Sequence, residues 1–120
     1  MDKITEASLL YDFYGELLTE KQRQVMAFYH EENLSLSEIA TEFGITRQAV
    51  HDTLKKAEQS LTEYEKKLRL VDQFMKSTRA ISQIDREIDE IAAFTQDRKI
   101  LEKLAKMKDI IGSLEKQQEE

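Results

Sequence analysis

Five polar side chains, Thr46, Arg47, Gln48, His51 and Lys55, are spaced so that on a helix they share one face near its start. Arg and Gln at a helix start can make forked hydrogen bonds to base edges, while Thr and Lys reach phosphate oxygens. These five residues are therefore the candidate nucleic-acid contacts. Asp52 lies on or beside the same face, and Glu38 and Glu42 precede it, so the face is not purely cationic. DNA, RNA and protein all remain open as its target.

Residues suited to catalysis are scarce. His30, followed by Glu31 and Glu32, has the composition of a metal or acid–base cluster, but a helix end explains it better, because a helix C-terminus favours histidine. His51 is the only other histidine, and no third ligand stands at a useful spacing from either one. Cysteine is absent, and there is neither a Ser-His-Asp order nor a phosphate-cradling glycine loop. The expectation is a protein that is not an enzyme and uses no metal or cofactor.

The elements that must position the five side chains can be read from caps and periodicity. Ile4 to Leu18 carries Leu10, Tyr11, Tyr14, Leu17 and Leu18 at helical spacing. Thr19 with Gln22 forms a capping box for a second helix, whose buried face is Val25, Met26, Phe28 and Tyr29 and which ends at Asn33. Ser35 with Glu38 forms another box, opening a short helix that Gly44 terminates. Thr46 then caps the next helix. Ile39, Phe43, Ile45, Val50 and Leu54 form the small core of a helix-turn-helix spanning about Leu34 to Lys56, with Ala40 small where the helices cross and Gly44 in the turn. The early aromatics Tyr11, Phe13, Tyr14, Phe28, Tyr29 and Phe43 read as core rather than as a base-stacking platform.

From Val50 the apolar residues continue as Leu54, Ala57, Leu61, Tyr64, Leu68, Val71 and Met75, at alternating intervals of four and three residues. The stripe then shifts to Phe74, Ile81, Ile84, Ile88 and Ile91. A break near Ser77-Thr78 accounts for the shift, as does one continuous helix with a drifting seam. A last helix runs from about Gln96, capped by Thr95, through Ile100, Leu104, Met107, Ile111 and Leu114, before a polar, frayed tail from Glu115 to Glu120.

The long helices either fold back as a bundle or pair with a second copy. A helix of about 25 to 30 residues spans about 40 Å, more than a two-helix unit can cover. Leu61, Tyr64, Leu68, Val71 and Met75 are therefore the candidate self-association residues, and a homo-oligomer, most simply a dimer, is expected. The fold class is all-α, in a single domain over residues 1–120: N-terminal helices over 1–34, the helix-turn-helix over 35–57 and long packing helices over 58–117. Proline is absent and there are only three glycines, in keeping with long helices.

The formal charge of −6 divides unevenly: residues 1–34 carry −4, residues 35–69 carry 0 and residues 70–120 carry −2. Proteins that depend on phosphate contacts concentrate Lys and Arg, and no such excess is present. No segment has the roughly 18 apolar residues of a membrane span. A cytoplasmic protein without membrane insertion is expected.

Several runs together resemble a known family. They are Leu17-Leu-Thr-Glu-Lys-Gln, Asn33-Leu-Ser-Leu-Ser-Glu-Ile-Ala, Phe43-Gly-Ile-Thr-Arg-Gln-Ala-Val, Lys55-Lys-Ala-Glu and Tyr64-Glu-Lys-Lys-Leu. They are similar to the YlxM-type proteins, small bacterial proteins resembling region 4 of sigma factors. The resemblance covers most of the chain, is most specific over residues 17 to 68 and is loose in the last third. It implies a sigma region 4-like, winged-helix-like helix-turn-helix with a regulatory role. The genes of such proteins typically neighbour those of the signal recognition particle, so the implied partners are that particle's GTPase, its RNA, or both. The alternative is a DNA-binding transcriptional regulator.

Overall fold

In the computed structural model, which describes residues 3–119, helices begin and end where side chains satisfy backbone groups that a helix terminus leaves free. Helix α1 (Lys3–Tyr14) passes into a single 3-10 turn, Gly15–Leu17. Gly15 is buried under the ring of Tyr11, and a Cβ there would meet that ring at 3.1 Å. Thr19 opens α2 (Glu20–His30): its hydroxyl accepts from the Gln22 N–H at 3.2 Å, and the Gln22 side chain accepts from the Thr19 N–H at 3.1 Å. Ser35 and Glu38 repeat this exchange at 3.1 and 3.0 Å to open α3 (Leu36–Phe43). The hydrogen bond from the Ser35 N–H holds the Glu38 carboxyl below its ordinary range.

Gly44 ends α3 with φ of 65°, the left-handed conformation in which a side chain is strained. The Gly44 N–H reaches the Thr41 carbonyl, and the Ile45 N–H reaches that of Ala40 at 3.0 Å, closing the end in a Schellman motif. Two residues later the Thr46 hydroxyl accepts from the Ala49 N–H at 3.0 Å and opens α4 (Arg47–Leu68). Nothing lies within 4 Å of a Cβ placed on Gly44, so substitution there meets only conformational strain. Gly44→Ala is expected to lower the unfolding free energy by about 1 kcal/mol, read as a lower urea midpoint at unchanged slope.

Packing divides the chain into two compact units, Met1–Asp72 and Gln73–Glu120, where the sequence suggests one domain. In the first unit α1, α2 and α3 all pack on α4. The α4 stripe of Val50, Leu54, Ala57 and Leu61 is buried, together with Tyr14, Val25, Met26, Ile39 and Ala40. Full burial of each larger apolar side chain contributes roughly 1.5–3 kcal/mol. The expected helix-turn-helix core is present in Ile39, Val50 and Leu54, with Phe43 and Ile45 half-buried. Of the early aromatics only Tyr14 is fully buried; Tyr11, Phe28 and Phe43 are half-buried, and Phe13 and Tyr29 stay exposed.

The helix break differs from the expected one. α4 ends at Leu68, Arg69 adopts φ of 55°, and α5 (Leu70–Phe94) runs unbroken through Ser77 and Thr78. The reason is a polar cluster that sequence spacing does not reveal. The Tyr14 hydroxyl donates to Glu65 Oε1 at 2.6 Å and accepts from the Leu70 N–H at 3.0 Å. Glu65 in turn accepts from the N–H groups of Val71 and Asp72, both at 3.0 Å. The first N–H groups of α5 are thus capped by two side chains, Tyr14 of α1 for Leu70 and Glu65 of α4 for Val71 and Asp72.

The last helix also starts later than expected. Asp97, rather than Thr95, is its main cap: Asp97 Oδ1 accepts from the N–H groups of Lys99 and Ile100 at 2.9 and 3.3 Å, while Thr95 Oγ1 accepts only from the Asp97 N–H. Gln96 consequently lies before α6 (Arg98–Glu119). The tail expected to fray from Glu115 is helical to Glu119, consistent with its run of good helix formers.

In the second unit α5 and α6 meet along Ile81, Ile88, Leu104 and Ile111. One flank of this seam is ionic, with Lys108 Nζ 3.3 Å from Asp85 and 2.6 Å from Asp89. At 100° per residue, the opposite flank carries Ile84, Ile91 and Phe94 from α5 and Ile100, Met107, Ile110 and Leu114 from α6. All seven are exposed. Among the described residues no helix is long and apolar enough to cross a membrane.

Candidate nucleic-acid interface

Burial of Val50 and Leu54 fixes the rotation of α4 about its axis, and this turns Arg47, Gln48, His51 and Lys55 outward. Thr46 sits at the helix start with its hydroxyl oxygen already accepting from Ala49, which leaves the hydroxyl proton free to donate. All five sequence-selected residues are exposed and lie within the first two and a half turns. The first turn of α4 contains no acidic residue, so its N–H groups and positive dipole end are not offset by a neighbouring carboxylate on that turn.

The five are not equivalent. Gln48 Nε2 donates to Asp52 Oδ1 at 3.0 Å, and His51 Nδ1 stands 3.7 Å from the same oxygen. Asp52 therefore engages Gln48, and pairs with His51 when the imidazole is protonated. Gln48 keeps its second amide N–H and its Oε1 for an outside contact, with Asp52 helping to set the direction of the amide. Arg47 and Lys55 have no carboxylate partner among the described residues, and neither has the adjacent cation Lys56. The Gln48–Asp52 contact was readable in principle, since an i,i+4 amide–carboxylate pair is a standard helix-surface interaction.

The candidate self-association residues fare differently. Leu61 and Val71 are 2% and 5% exposed, each enclosed by the chain itself. Tyr64 is half-buried, stacks beside Tyr14 at 6.0 Å between ring centroids and donates to the Leu17 carbonyl at 3.4 Å. Leu68 is 52% exposed, and Met75, half-buried, belongs to the second unit. No group of three His, Asp or Glu side chains able to hold a metal ion occurs among the described residues.

Residues 1–101 match the family model UPF0122, described as "Putative helix-turn-helix protein, YlxM / p13 like". A UPF0122 protein of Desulforamulus reducens is 47% identical over 89 residues, 74% of this chain and 76% of that protein. One from Halalkalibacterium halodurans is 42% identical over 104 residues, 87% of this chain and 95% of that protein. One from Bacillus cereus (strain AH187) is 40% identical over 116 residues, 97% of each chain. With its capped helices, its Gly44 turn and a family match over most of its length, the chain belongs to the UPF0122 family of YlxM / p13-like helix-turn-helix proteins.

Proposed function

We propose that this chain is a non-catalytic regulatory protein of the cytoplasmic signal recognition particle pathway, binding the particle's RNA, its GTPase, or both through the exposed start of α4. The observation that carries this reading is the face itself: Arg47 and Lys55 project from a well-anchored helix and, among the described residues, have no carboxylate to pair with. The pathway comes from the resemblance to YlxM-type proteins. Neutrality of residues 35–69 supports contact with a few phosphates or with protein over a broad cationic footprint. In titrations of the purified particle RNA and of the GTPase, Arg47→Ala is expected to weaken binding roughly 10-fold or more, the scale of a lost bidentate contact. Absence of binding to either component, with GTP turnover unchanged, overturns the reading.

The second reading, a DNA-binding transcriptional regulator, is favoured by one observation: Arg47 and Gln48 stand side by side where a recognition helix meets base edges. Selection from random duplexes at two salt concentrations separates the two. A defined site with a steep salt dependence supports DNA binding, and sequence-blind retention rejects it.

Self-association belongs to the same proposal. With Leu61 and Val71 occupied inside the chain, the apolar flank of α5 and α6 is the better-supported surface for a homodimer. Two-fold pairing of these hairpins gives a four-helix arrangement and presents two α4 faces per particle.

A further inference from the structure

Between the C-terminal ends of α2 and α3 lies an open notch of about 400 Å³, lined by Gln24, Ala27, Phe28, Glu32, Glu42 and Phe43. Its floor is aromatic: the rings of Phe28 and Phe43 meet edge to face, with centroids 5.5 Å apart and planes at 77°. Both rings are only half-buried, so apolar surface remains available beside them. Its rim is anionic: Glu32 and Glu42 are exposed, and neither takes part in an ion pair among the described residues.

The helix ends reinforce that sign. Phe28 lies in the last turn of α2, and Glu42 and Phe43 in the last turn of α3, the negative ends of the two helix dipoles. α3 has no basic residue in that turn to offset it. An aromatic floor, two unpaired carboxylates and two negative helix ends all favour a cation that also has a flat apolar face. A phosphate is repelled by the carboxylates and by the helix ends, which disfavours a nucleic-acid backbone in this notch. A guanidinium meets each requirement: it stacks on aromatic rings, donates a forked pair of hydrogen bonds to a carboxylate and is more weakly hydrated than an ammonium.

We propose that this notch is a docking site for an exposed arginine carried by a segment of a partner protein. The guanidinium lies against Phe28 and Phe43 between the carboxylates of Glu32 and Glu42, and the small Ala27 leaves room for its aliphatic stem. None of the five α4 residues takes part, so the site stands independently of the nucleic-acid reading.

The test is a titration of the ¹⁵N-labelled full chain with the peptide acetyl-Ala-Leu-Arg-Leu-Ala-amide, alongside twins carrying lysine or the neutral isostere citrulline. Saturable shifts centred on Ala27, Phe28, Glu42 and Phe43 are expected, with binding weakened about tenfold by citrulline and less by lysine. Glu32→Gln combined with Glu42→Gln is expected to weaken the arginine peptide similarly. Both positions are exposed, so helicity and melting serve as controls for intact folding. Arg47→Ala is expected to leave the titration unchanged, which separates failure here from failure of the α4 reading. Equal binding of the arginine and citrulline peptides, shifts centred elsewhere, or no saturable shift overturns the proposal.

Discussion

Ile110→Asp is expected to give a monomer of 14.1 kDa with unchanged helicity, where the proposed homodimer predicts twice that mass for the unaltered chain in light scattering. Leu61→Asp is expected instead to unfold the first unit. The contrast rests on where each side chain lies. Ile110 is 62% exposed and continues a flank formed by Ile84, Ile91, Met107 and Leu114, so in the proposed homodimer its contacts would come from the second copy. The α5–α6 pair fully buries only Ile88, Leu104 and Ile111. That does little to offset the entropy of ordering two long helices, and in the proposed homodimer a second copy on the flank would supply the missing burial. Leu61 is 2% exposed in the middle of α4, and its loss alone costs about 2–5 kcal/mol, to which a buried unpaired carboxylate adds a further penalty. An unchanged mass for Ile110→Asp, or a folded monomer for Leu61→Asp, would contradict this division of roles.

Features whose causes are local were legible in the sequence. The Thr19–Gln22 and Ser35–Glu38 boxes, the Gly44 turn and the Thr46 cap each involve residues within a few positions of one another, and each occurs where spacing places it. The outward face of α4 followed from the inward set of Val50 and Leu54. The break at Arg69 was not legible, because its cause is Tyr14, 51 residues from Glu65 in sequence. The three-four alternation runs on through Leu68 and Val71 to Met75, and so disguised a change of helix as one continuous seam. The start of α6 was blurred for a milder reason: Thr95 and Asp97 can both cap, and only the reach of Asp97 to two N–H groups decides between them. Pairing on the candidate face was partly visible, since Asp52 stood out as an opposing charge, but its specific engagement of Gln48 is a matter of rotamer and distance.

The junction between α4 and α5 should be the most pH-sensitive point of the first unit. Burial opposes ionisation of Glu65, yet the hydrogen bonds it accepts from Tyr14, Val71 and Asp72 together outweigh burial and bring its pKa below the ordinary 4.5. Burial, then the bond to Glu65, raises that of Tyr14 above 10.0. A lowered carboxyl pKa gives stability that is fully present above 4.5 and is lost as pH falls through the folded value. A raised phenol pKa gives stability that is fully present below 10.0 and is lost as pH rises through the folded value. The stabilising window of the cluster therefore lies between these limits. Glu65→Ala removes the acceptor for the buried Tyr14 hydroxyl and for two α5 N–H groups, and is expected to cost about 3 kcal/mol at neutral pH. Tyr14→Phe, which leaves the Leu70 N–H without its acceptor, is expected to cost about 1–2 kcal/mol. The two losses should combine to less than their sum, because the residues share one network. Glu65→Gln keeps an acceptor but cannot titrate, so urea midpoints followed from neutral to acid pH should fall less steeply for this variant than for the unaltered chain. Parallel acid profiles for the two would show that Glu65 is not the group through which acid loosens the junction.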